Sequence, residues 1–195
     1  MMKPADQQST VSAWLFKPFL FLGGARGMGW GAVILILHIP LALLLDIRFD
    51  GALDIHLAPD VDVIYTPIVD LLIAWGSMVI CMYLAAKLSS SPIRLIDIAG
   101  AVAIARVPLL LSIIPALFLL PDVRSAEEVL SLEASEMVWL MTAAFVTLIF
   151  LIWLLVLLFH AFKINSNLKG ARLWGGYLAS VLAAEGLSLG LNYFI

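Results

Sequence analysis

Five long apolar runs, each set off by polar or charged stretches, organise this sequence. They cover about Trp30–Asp46, Pro67–Ala86, Leu95–Leu120, Met137–His160 and Trp174–Ile195. A hydrocarbon core about 30 Å thick needs about 20 residues at 1.5 Å each, so every run is read as a transmembrane helix. The third contains Pro108 and Pro115. Neighbouring helices can satisfy the carbonyls a proline frees, so a kinked helix is expected there in preference to two half-spans. Before the first run, Val11–Met28 carries Trp14, Phe16, Phe19 and Phe21 beside Lys17 and Arg26, the mixture of a segment lying among headgroups. A disordered tail is the alternative reading. Pro18 and Gly23-Gly24 argue against one helix continuing into the first span. The predicted architecture is all-α: residues 1–29 as a cytoplasmic or interfacial segment, and 30–195 as a bundle of five transmembrane helices.

Composition supports a lipid environment. Of the 195 residues, 63% are hydrophobic and 13% charged, against roughly 45–50% and about 25% in a soluble domain. A chain this short cannot bury so much apolar surface in its own core. No cleavable signal is recognised, so the first span is expected to direct insertion. Charge distribution sets the orientation. With the N-terminus inside, Lys3, Lys17, Arg26, Lys87, Arg94, Lys163, Lys169 and Arg172 all fall on the cytoplasmic side. Arg48 and Arg124 fall outside, and Arg106 lies within the membrane. Asp50, Asp54, Asp60 and Asp62 occupy the first outer loop, and Asp122, Glu127, Glu128, Glu133 and Glu136 the second. An odd number of spans preserves this alternation.

Charges inside a membrane cost roughly 2.5–3.5 kcal/mol each on insertion scales and need a reason. Arg106 stands twelve residues beyond Arg94, and Glu185 twelve beyond Leu173, on spans expected to run in the same direction. Both therefore lie about 18 Å along their helices. A buried Arg106–Glu185 ion pair is predicted, either pinning two helices together or forming a gate or binding site. Asp97, Ala101, Ala105, Pro108, Ser112 and Pro115 make one small and polar face on span three, for packing or for a solute path. Asp97 itself also suits the positive end of its own helix. On span five, Glu185, Ser188 and Asn192 align, and Gly186–Gly190 is a GxxxG motif of close helix approach. His38 is a candidate neighbour of the Arg106–Glu185 cluster or a hydrogen-bonded bystander.

Other chemistry finds no support in the pattern. His38, His56 and His160 are scattered over different segments, and Cys81 is the only cysteine, so no metal site, disulfide or cofactor is expected. HExxH, GxSxG and phosphate-loop motifs are absent, and Ser112 and Ser180 have no histidine at motif spacing. The chain is read as no enzyme. Its few basic residues point to topology and anionic lipids, not nucleic acid.

The segment FLIWLLVLLFHAFKINSNLKGARLWGGYLASVL, in which an aromatic helix ends in HAFKINSNLKG before a Gly-rich span, resembles bacterial members of the Yip1 family. RLIDIAGAVAIARVPLLLSIIPALFLL and the FKPFLFL element are similar to the same family. The resemblance runs from about Trp14 to Ile195 and implies five helices, a cytosolic N-terminus and a C-terminus on the far side. Eukaryotic relatives interact with Rab GTPases. Their long soluble N-terminal region is not seen here, and Asp97-Ile-Ala-Gly is at best a remnant of their DLYGP-type motif. The short basic loops favour a bacterial protein, and the preferred reading is a non-enzymatic, Yip1-like protein of a bacterial inner membrane. Lipids, a further copy of the chain or a membrane protein are its expected partners, in membrane organisation or a trafficking-like role. The alternative is a small transporter or channel-like protein with a polar site at Asp97, Arg106 and Glu185.

Overall fold

A computed structural model describes residues 11–45, 47–57, 64–119 and 131–194. Lys3, Asp60, Asp62, Asp122, Arg124, Glu127 and Glu128 lie outside the described residues, as do the expected span ends at Asp46, Leu120 and Ile195. The long helices among the described residues are α1 (Gly24–Leu45), α2 (Tyr65–Leu88), α3 (Leu95–Ala105), α4 (Val107–Leu119), α5 (Ala134–Ser166) and α6 (Gly170–Asn192). Between α1 and α2, two-residue strands β1 (Ile47–Arg48) and β2 (His56–Leu57) pair antiparallel.

Among the described residues, four helical spans are long and apolar enough to cross a membrane: α1, α2, α3 with α4, and α5. The chain is an integral membrane protein of the all-α class. Helix α6 runs alongside them but falls short in apolarity, because Arg172, Glu185, Asn192 and several glycines dilute its leucines. Its beginning lies by the α5–α6 turn, and Asn192 at its other end donates to the carbonyl of Asp50.

The third span crosses as one run, Leu95–Leu119, interrupted at the single residue Arg106, which separates α3 from α4. Pro108 has no N–H to offer the carbonyl of Ile104, so the α-helical ladder fails there. The turn tightens instead, with Arg106 N–H donating to Ala103 O (3.2 Å) and Leu109 N–H to Arg106 O (3.0 Å). Pro115 lies inside α4 without ending it.

Helix α3 is the centre of the bundle. Every residue from Ile98 to Ala105 is buried, as expected for a helix that is apolar all round. It packs on α1 backbone to backbone. A Cβ on Gly31 would come within 2.6 Å of Ala103 Cβ, and one on Gly100 within 2.6 Å of Met28 N. The close approach predicted for Gly186 and Gly190 is not made among the described residues, where both face open space. Ahead of α1, residues 11–16 are helical and Pro18–Leu20 form a 3-10 turn. This segment folds onto the bundle: Trp14 stacks on Phe21, and Trp153 Nε1 donates to Leu15 O at 3.0 Å. Helix α1 begins at Gly24, ahead of the expected start at Trp30. Helix α5, with 33 residues, is about 50 Å long. A reciprocal Glu133–Glu136 capping box starts it, and Asn167 in the left-handed conformation ends it.

Candidate functional site: a re-entrant loop on buried polar side chains

The chain between β1 and β2 turns back into the bundle. Phe49 and Ala52 are almost wholly buried, and the Phe49 ring meets His38 edge to face at 4.8 Å. His38 is seven residues before the end of α1, so Phe49 reaches about 10 Å back along that helix. Irregular backbone at such depth must find partners within the protein, because an unsatisfied peptide group in hydrocarbon costs several kcal/mol.

Side chains from α6 and from the α3–α4 break supply those partners. Arg106, held at the α3–α4 break, donates from Nη1 to Ala52 O at 3.3 Å. Glu185 Oε2 accepts the N–H of Leu53 at 2.8 Å. Ser188 Oγ accepts the N–H of Ala52 at 3.0 Å and donates to Glu185 O at 3.0 Å, which fixes its proton. Asn192 holds the carbonyl of Asp50. The loop is anchored at its base by Arg48, whose Nε and Nη2 grip both Asp70 oxygens at 2.7 and 2.6 Å. That carboxylate holds the Arg48 guanidinium above its ordinary range. At the tightest point stands Gly51. A Cβ there would fall 2.4 Å from Asp54 Cβ and 2.9 Å from Glu185 Oε1.

Arg106 and Glu185 are thus brought together, but not as the predicted ion pair. Among the described residues they make no direct salt bridge; they hold consecutive residues of the loop, close enough for their charges to act on each other. Register on the two helices placed them at one depth, and the loop then came between them. Two guanidinium nitrogens, Nε and Nη2, are buried without a hydrogen-bond partner, as is His38 Nε2. His38 donates from Nδ1 to Ile34 O at 2.8 Å, leaving Nε2 as an acceptor facing the cluster.

Ser188 and Asn192 belong to the cluster; Ser112 does not, since its hydroxyl donates to Leu109 O of its own helix. Asp97 is at the other end of the bundle. Instead of serving only its own helix, it accepts the N–H of Gly24 at 2.8 Å and so caps α1, while Arg94 Nε grips its other oxygen at 2.6 Å. Gly24 is left-handed (φ 58°), which turns its N–H toward that carboxylate. The apolar residues of α3 separate Asp97 from Arg106. No three metal-ligating side chains gather among the described residues.

The loop's docking was not read from the sequence. Its two aspartates, Asp50 and Asp54, suggest a solvated loop, yet Phe49, Ala52, Leu53 and Ile55 interleave with them and were the available signal.

Together these features define a helical integral membrane protein whose buried polar groups read the backbone of its own re-entrant loop. No family model, curated protein or solved structure matches the chain.

Proposed function

We propose that the chain is a non-enzymatic, Yip1-type protein of a bacterial inner membrane, with five crossings and a cytoplasmic N-terminal side, that acts by packing against partners in the bilayer. One observation carries this reading. Gly175, Ala179, Ala183, Gly186 and Gly190 form an exposed ladder of small residues on α6, and nothing among the described residues approaches its three glycines. Small residues at such spacing let a second helix come close, which is what drives association where no water is present to be released. Supporting the fifth crossing, α6 reaches from the α5–α6 turn to the re-entrant loop. Arg26, Lys87, Arg94, Lys163, Lys169 and Arg172 gather at the end that the reading makes cytoplasmic.

Two measurements test it. Resonance energy transfer between labelled copies in vesicles, and capture of a membrane partner, should both weaken at least fivefold in Gly186→Leu/Gly190→Leu. Unchanged association would sink the packing role. Single cysteines at Ser90, Asn167 and Tyr193, in a Cys81→Ser background, should label from opposite sides: Ser90 and Asn167 from one, Tyr193 from the other. Tyr193 labelling with Asn167 would remove the fifth crossing. A second reading, a small transporter, is favoured by the two unpartnered nitrogens of Arg106. Ion flux in reconstituted vesicles that disappears in Arg106→Leu would select it.

A further inference from the structure

Beneath the N-terminal segment, an open cleft of about 370 Å³ lies between α1, the α3–α4 span and α5. Its wall is almost entirely carbon: Leu22, Ile34, Leu111 and Leu157, with the indoles of Trp30 and Trp153. Trp153 holds the segment over the cleft through its bond to Leu15 O. A cleft lined in this way offers water too few polar partners to be held. The lining runs from Leu22, just ahead of the start of α1 at Gly24, to Ile34, ten residues and about 15 Å along that helix, which matches one leaflet's share of the roughly 30 Å hydrocarbon core.

The cleft carries positive charge along the same line. Within α1, Arg26, Trp30 and Ile34 follow one another at four-residue spacing, so exposed Arg26 shares the stripe of the lining residues Trp30 and Ile34. Exposed Lys17 lies between lining residues Leu15 and Pro18, near enough to His160 of α5 for their charges to interact. Trp14 and Trp30, each about half exposed, suit the boundary between headgroups and chains. An apolar slot one leaflet deep, with cations beside it and indoles between, complements a lipid of negative headgroup.

We propose that this cleft is a binding site for one anionic phospholipid, its acyl chain in the slot and its phosphate on Lys17 and Arg26. The proposal rests on the membrane-spanning reading and specifies which lipid the protein selects.

The test uses the full chain carrying Trp139→Phe and Trp174→Phe, so that the cleft indoles dominate the fluorescence. It is reconstituted in vesicles of phosphatidylcholine with a minor share of phosphatidylglycerol, one or the other carrying brominated chains. Brominated phosphatidylglycerol should quench more strongly than brominated phosphatidylcholine. Lys17→Gln and Arg26→Gln should each lower that preference about fivefold, while leaving thermal unfolding unchanged. Leu111→Phe, narrowing the slot at a partly exposed position, should reduce quenching by both lipids. Inorganic phosphate at millimolar concentration should not compete; competition by it would replace the lipid with a free anion and overturn the proposal. Equal quenching by the two lipids, or a preference that survives both charge substitutions, would also overturn it. Flotation with the vesicles after alkaline washing separates the levels. A chain that does not float fails as a spanning protein and takes the site with it. One that floats without selectivity fails only as a lipid site.

Discussion

Arg106 makes one hydrogen bond, to the carbonyl of Ala52, and is buried to 2% exposure. Replacing it with leucine removes a costly charge but leaves that carbonyl without a donor. Orphaning a buried acceptor costs about 1–3 kcal/mol, so Arg106→Leu is expected to destabilise by that amount in thermal unfolding in detergent. Glu185 offers the complementary case. Glu185→Gln retains an oxygen for the Leu53 N–H and should cost less than Glu185→Leu, which retains none. Because the two side chains hold neighbouring residues without touching, a double-mutant cycle should give a coupling well below the 3–5 kcal/mol lost on breaking a buried ion pair. At Gly51, alanine would overlap Asp54 and Glu185, so Gly51→Ala should lower the melting temperature and expose the loop. A melting temperature equal to wild type would show that the loop yields easily.

The α3–α4 break is the element on which this arrangement depends. Pro108 withholds a donor just where Arg106 must leave the helical path. Pro108→Ala is expected to restore a continuous helix, swing the guanidinium off Ala52, and raise the labelling rate of a cysteine placed at Ala52, in a Cys81→Ser background. Pro115→Ala should leave that rate unchanged, since Pro115 is accommodated within α4. The sequence allowed this span to be located but not its form. Two prolines seven residues apart are equivalent in a hydropathy profile, and what separates them is the loop docked against one. Glycines gave a similar lesson. Gly186 and Gly190 showed a recognised motif, yet Gly31 and Gly100 make the tight contact, because helix partners are set by the tertiary arrangement that a motif does not encode.

For the whole molecule, the apolar runs were legible because lipid imposes length and polarity on each span independently. The common depth of Arg106 and Glu185 was legible too, from helix rise alone. The loop between them was not. Aspartates at Asp50 and Asp54 read as solvated, and nothing local shows that Asp50 O, Ala52 and Leu53 find partners on a helix far along the chain. Asp70→Asn checks the anchor of that loop. With the carboxylate replaced, the two-point grip on Arg48 is lost, and labelling at Ala52→Cys should rise as it does for Pro108→Ala.

The re-entrant loop and its partners on α6 are 132 to 142 residues apart in sequence. At about 5–20 residues per second, the ribosome needs on the order of ten seconds to make the stretch between them. During that interval the loop's peptide groups have neither Glu185, Ser188 nor Asn192 to receive them, and water is their remaining partner. The loop therefore enters the bundle only after α6 has arrived, and assembly closes from the chain's later helix onto its earlier loop. A nascent chain stalled before Gly170 should carry Ala52→Cys open to a soluble thiol reagent, and release past Asn192 should protect it.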